Sequence, residues 1–295
     1  INYNFTTILI MSKKHYLLLL LITFLFGSAY PVQKLIFNQN VPPILMGSLR
    51  MLFVFICLIP FWKFKIPEKK YWLPLFFFSI CMGFLANLFM TLSLKEAEIV
   101  SPIIIGSQLA IPFAILLSSF FLREKVSFKK WFFIFTSFVG VSILSFDPLI
   151  KNEIFALLLI SFMAFFYASA QVFSRYLKEL DVTLTNCIMG LCGFFFLFIT
   201  SYIFEGDTIN NLLNINFKSW LLILHSAIFV SIAAHMSMFY LYKIYPVNKV
   251  FPFYALFPIF GILQTMVIFN EIPTLIVFLG GLIVITSIYL LNKLD

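Results

Sequence analysis

The ionisable residues are informative first for where they do not fall. The acids are Glu68, Glu96, Glu98, Glu124, Asp147, Glu153, Glu179, Asp181, Glu205, Asp207, Glu271 and Asp295, and all stand at the edges of apolar stretches or between them. An ionised group inside a bilayer is costly and is usually kept for function. The lack of a mid-stretch carboxylate therefore disfavours a proton relay built on Asp or Glu. His235, deep in an apolar stretch, leaves proton coupling through imidazole open. Asn87, Gln108 and Gln264 are uncharged polar groups in similar settings; each, like His235, either lines a substrate cavity or makes an interhelical hydrogen bond that holds the bundle together. Arg50 stands about seven residues into its stretch, within snorkelling reach of a surface. It either meets a substrate carboxylate or locks a helix end, the lock being the simpler reading.

Catalytic signatures are missing. The chain has no His-Glu-x-x-His, no Gly-x-Ser-x-Gly and no Walker A pattern, so we expect no catalytic residues, no metal, no cofactor and no ATP hydrolysis by this chain. Cys57, Cys81, Cys187 and Cys192 lie in apolar runs without Cys-x-x-Cys spacing and read as small packing residues.

These residues must be positioned by a membrane-embedded scaffold. Of 295 residues, 62% are hydrophobic and 11% charged, against roughly 25% charged in a soluble domain, and the mean hydropathy is +1.04. Ten apolar stretches can be marked, at 16–36, 43–62, 71–94, 100–122, 130–146, 154–176, 184–204, 219–242, 249–269 and 273–292. At 1.5 Å per residue each can cross about 30 Å of hydrocarbon, the fifth only marginally. Backbone groups in lipid must bond internally, and stretches this long do so as helices, whereas barrel strands would be about ten residues of alternating polarity. The expected fold class is an all-α membrane protein with ten transmembrane helices. The net charge of +8 then concerns orientation, and no nucleic-acid partner is expected.

With the amino terminus placed in the cytoplasm, 15 Lys and Arg fall on the cytoplasmic side and 4 outside, with Arg50 completing the 20. That bias predicts both termini inside. Residues 1–15 read as a cytoplasmic segment in which Met11 is a more natural start than Ile1. The localisation expected is a bacterial-type inner membrane.

The two halves are related. Trp72-Leu73 falls onto Trp220-Leu221, Pro112 onto Pro258, and Glu124 onto Glu271, and Asn87 and His235 come to matched depths. Each half, 16–146 and 154–292, is then a unit of five spans, and an odd number of crossings forces the copies into opposite orientations. Inverted repeats of this kind recur in secondary transporters, with the substrate site at the repeat interface. Pro112 and Pro258 should kink their helices and free carbonyls near mid-membrane, with Tyr254 one turn before Pro258 beside the site. Glu124 and Glu271 read as hydrogen-bonding anchors or gate elements. Ala164 and Ala168 have the spacing of close helix packing, within the bundle or between protomers, so a homodimer stays open.

FGSAYPVQK at 26–34, PPILMGSLR at 42–50, the Pro112 to Glu124 and Pro258 to Glu271 patterns and Gly280-Gly281 occur in this order across the ten stretches. In that order the chain resembles the drug/metabolite transporter superfamily, specifically its EamA-type permeases, over essentially everything after Met11. Phe133 departs from the pattern, which often has glycine there. The resemblance implies a secondary transporter that exports a small polar metabolite, an amino acid or derivative, by alternating access. Uptake of the same class is the near rival, with an intramembrane enzyme or a non-transporting membrane protein behind it.

Overall fold

The computed structural model describes residues 11–62, 67–121, 123, 126–144, 146–147, 153–245 and 250–293. Among them there are helices and connections and no strand. The spans are α1 (Lys13–Phe37), α2 (Pro43–Phe61), α3 (Lys69–Glu96), α4 (Val100–Phe121), α5 (Phe128–Leu144), α6 (Ile154–Leu177) and α7 (Val182–Phe204). α8 runs from Phe217–His225 through the π-helical Ser226–Ala234 into His235–Ile244. α9 opens with the 3₁₀ turn Phe251–Leu256 and continues as Phe257–Phe269, and α10 is Leu275–Lys293. Seven of these helices are long and apolar enough to cross a membrane, and parts of α9 and α10 are shorter apolar helices. Large side chains such as Phe120, Phe128, Phe135, Phe195 and Phe204 are exposed on the outside, as suits a bundle whose solvent is lipid.

Helix starts follow the sequence locally. Ser12 caps α1 by accepting from the His15 N–H, and Asp181 caps α7 by accepting from Thr183. Asn270 ends α9 in the left-handed conformation at φ 57°, which Asn tolerates better than most residues. The connection after α7 is not a plain loop: Asp207 accepts from the Asn210 N–H and starts a short helix, Thr208–Leu213.

The packing partners reveal the symmetry. α1 packs on α8 and α9, while α6 packs on α3 and α4; α2 packs on α7, and α5 on α10. Mapping α1–α5 onto α6–α10 turns α1/α9 into α6/α4 and α1/α8 into α6/α3, and it maps the other two pairs onto themselves. Such reciprocity is what a two-fold relation between copies requires. The fold is two inverted five-helix repeats.

Where lipid surrounds the helices, close approach through small residues holds them together. A Cβ on Gly27 of α1 would stand 2.6 Å from the backbone nitrogen of Gly261 of α9. On Gly140 of α5 it would stand 2.7 Å from Val284 and 3.1 Å from the Gly280 carbonyl of α10. Gly140 thus provides the tight α5 contact that Phe133 cannot. Ala164 and Ala168 are fully buried, on the helix that packs against α3 and α4.

Candidate functional site

Two symmetry-related irregularities build the centre of the bundle. α3 contains a π-helical segment at Ser79–Leu85 and α8 one at Ser226–Ala234. Single-turn π distortions often accompany functional sites. The polar side chain just beyond each segment bonds back to the carbonyl five residues earlier. Asn87 Nδ2 donates to the Met82 carbonyl at 2.8 Å, and His235 Nδ1 lies 3.0 Å from the Val230 carbonyl. A carbonyl can only accept, so Nδ1 of His235 holds the proton and Nε2 is left for another partner.

The two halves then diverge. Asn87 also reaches the Gly83 carbonyl at 3.3 Å and Met51 Sδ at 3.8 Å, which ties its amide into the packing around α2 and α3. In α8 the position matching Gly83 is Ser231, whose hydroxyl donates to the Ser226 carbonyl and accepts from Arg50 Nε at 2.9 Å. Arg50 therefore does not reach for a surface. It is 8% exposed, is bound to Ser231, and its Nη1 is buried without a hydrogen-bond partner. The His235 ring packs edge-on against Phe26 at 4.7 Å between centroids, and Arg50 is close enough to act on it electrostatically.

Tyrosines complete the surround. Tyr30 of α1 faces Ser107 of α4 and lies within electrostatic reach of Arg50 and Tyr167. Its ring stacks on Phe257 with an interplanar angle of 4°. Tyr167 of α6 meets the Tyr254 side chain, and the Tyr254 ring packs on Phe26 at 5.5 Å and on Phe257 at 4.9 Å. Both prolines stand just after 3₁₀ turns, Pro112 after Ser107–Leu109 and Pro258 after Phe251–Leu256. A proline offers no N–H to the carbonyl four residues earlier, which here belongs to Gln108 and to Tyr254. Gln108 is 2% exposed and its Oε1 is buried without a partner.

Other sequence candidates lie elsewhere. Gln264 Nε2 donates to the Phe24 carbonyl at 3.1 Å at an exposed position, so it ties α9 to α1 away from the Arg50 cluster. Glu124 lies outside the described residues.

Glu271 and two acids not singled out from the sequence act at the ends of spans remote from the chain termini. Glu271 Oε2 accepts from the Val100 N–H at 3.0 Å, at the start of α4. Glu153 Oε1 accepts from the Glu98 and Ile99 N–H groups at 2.6 and 3.2 Å. Both oxygens of Glu205 are used, Oε1 by the Ile44 N–H at 2.6 Å and Oε2 by the Leu45 N–H at 2.8 Å and by Ser201. A carboxylate at a helix start satisfies orphan N–H groups and complements the helix dipole. Burial still raises all three above the ordinary carboxylate range, against the opposing pull of these backbone bonds. Lys34 Nζ donates to the Leu94 and Ala97 carbonyls on the same side. Together these groups stitch the ends of α1, α2, α3, α4, α6, α7 and α9.

Of the side chains that meet here, the sequence had singled out Arg50, His235 and Tyr254 and passed over Tyr30, Ser107, Tyr167 and Ser231. Their one local signal was Tyr30 inside FGSAYP, since a hydroxyl among apolar residues otherwise reads as helix packing. Glu153 and Glu205 were missed because their partners are distant in sequence.

Set against known proteins, the sequence profile of the EamA-like transporter family matches residues 13–146 and again 154–293. Twenty-four solved chains match in structure. One of them, a crystal structure of a protein, has a TM-score of 0.61 at 15% identity and covers 92% of this chain and 98% of its own. At that identity the likeness concerns the fold alone. A search of curated proteins gave no match.

Proposed function

This chain belongs to the EamA-like transporter family, and from that premise we propose that it is a secondary transporter exporting a small polar metabolite, an amino acid or derivative, by alternating access. The observation that supports this most is the position of the polar cluster. Arg50, Ser231 and His235, with Tyr30 and Tyr254 around them, come from both repeats and meet at their interface. A site at that interface can be opened to either side by rocking one repeat on the other. In this reading residues 16–146 and 154–292 are the two moving units. The stitching by Glu153, Glu205, Glu271 and Lys34 is the closed outer gate. The bias of 15 inner to 4 outer Lys and Arg supports cytoplasmic termini in a bacterial-type inner membrane. Buried Ala164 and Ala168 pack within the bundle, so a homodimer would use another face.

The test is saturable flux in inverted membrane vesicles and in proteoliposomes across a broad panel of amino acids and related metabolites. Saturable, outward-directed flux of a panel member is the expected result. No saturable flux for any member would contradict the reading.

A further inference from the structure

The Arg50 environment specifies the charge of what it binds. Arg50 is the single Lys or Arg set inside an apolar stretch, the other 19 lying at span ends or in connections, and no acid of the sequence lies at mid-stretch. Among the described residues no carboxylate pairs with it. Its Nε donates to the neutral Ser231 hydroxyl, the Tyr30 phenol lies within electrostatic reach, and its Nη1 is buried without a hydrogen-bond partner. A buried cation lacking a counter-charge is unfavourable, and an anion placed against it removes the penalty. The guanidinium fork also matches the planar pair of oxygens of a carboxylate better than a point charge would.

From this geometry we infer that the site takes a substrate of net charge −1, a monocarboxylate seated on Arg50, rather than a zwitterion or a cation. The inference rests on the transport reading above and narrows its substrate class to derivatives whose amine carries no charge, leaving out the free, zwitterionic amino acids. One positive charge calls for one negative charge. A zwitterion would bring a second cation into a centre where no acid stands to receive it, and a dianion would leave one charge unmatched. A buried acceptor without a partner, Gln108 Oε1, stands next to the Ser107 that faces Tyr30 and suits a neutral N–H or O–H group of such a molecule.

The test uses the purified full-length chain in detergent, read by thermal shift and intrinsic fluorescence. The probes are N-acetylalanine as monoanion, alanine as zwitterion, alaninamide as cation and sulfate as dianion. N-acetylalanine should bind saturably and most tightly. Its affinity should fall about 30-fold or more in Arg50→Gln, the scale of a lost buried charge partner, and should be partly retained in Arg50→Lys. Alanine, alaninamide or sulfate binding as tightly, wild-type affinity in Arg50→Gln, or no binding by any probe would overturn the inference. If Arg50→Gln fails to fold, the ranking of the four probes on the unmodified chain decides alone. Flux of the same probes into proteoliposomes separates the two readings. Arg50-dependent binding of the monoanion without flux sinks transport and leaves this inference standing; alanine flux that is indifferent to Arg50→Gln does the reverse.

Discussion

Glu153 and Glu205 look alike in sequence but differ in how their oxygens are used, and this predicts opposite outcomes for one substitution. Oε1 of Glu153 takes both backbone bonds while Oε2 is buried without a partner. Glutamine can keep its carbonyl on those two N–H groups and turn its NH₂ toward the empty side. Glu205 accepts on both oxygens, so glutamine must set an NH₂ against a backbone donor. Glu205→Gln should cost about 1–3 kcal/mol, the penalty of an unsatisfied buried group, whereas Glu153→Gln should fold normally. The pH dependence follows from the raised Glu153 pKa. The folded state holds that proton more tightly than the unfolded chain, so the contribution is fully present below the unfolded carboxylate value of about 4.3. It is lost as pH rises through the folded value. Thermal melts at about pH 4.5 and 7.5 should therefore show the wild type losing ground to Glu153→Gln as pH rises; a pH-independent gap would show that burial does not raise the Glu153 pKa. At the proposed site, His235→Ala should impair flux more than Cys192→Ala, since His235 packs on Phe26 near Arg50 and Cys192 is a free, half-buried thiol. Equal, wild-type-like rates would remove His235 from the site.

The helices combine small-residue seams with deliberate breaks, and each can be tested separately. Gly27 meets backbone atoms of α9 that cannot move aside, whereas a Cβ on Gly47 would meet side chains at 3.4 and 3.5 Å, in ordinary contact. Gly27→Val should lower stability by about 1–3 kcal/mol or more, as overpacking does, while Gly47→Ala should melt close to wild type. A reversed order would place the α1/α9 seam elsewhere. At the breaks, Pro258→Ala restores an N–H that can bond the Tyr254 carbonyl. The variant should melt at the same temperature or higher and transport more slowly; unchanged flux would mean that the break only shapes the helix. The matched prolines were legible in the sequence because identity and spacing repeat. The π-helical segments were not, because Ser79–Leu85 and Ser226–Ala234 are ordinary apolar sequence; the backbone sets them apart, and the side chains of Asn87 and His235 bond back to carbonyls five residues earlier.

For the molecule as a whole, hydropathy and the repeat of Trp72, Pro112 and Glu124 as Trp220, Pro258 and Glu271 were enough to read an all-helical membrane fold in two inverted copies, since lipid leaves the backbone few alternatives. The site was only half legible because repeats share a scaffold without sharing chemistry. Asn87 and His235 occupy equivalent depths, yet one amide is absorbed by packing and the other ring faces the Arg50 cluster, a difference set by Gly83 against Ser231. The central claim is that this cluster is reached from each side of the membrane in turn. It is tested by replacing Cys57, Cys81, Cys187 and Cys192, introducing Ser231→Cys, and labelling sealed vesicles of both orientations with an impermeant thiol reagent. The account predicts labelling mainly from the side of the termini, shifting toward the opposite side when Glu205→Ala removes its hold on the start of α2. A cysteine that reacts from neither side, or from one side regardless of Glu205, would contradict it.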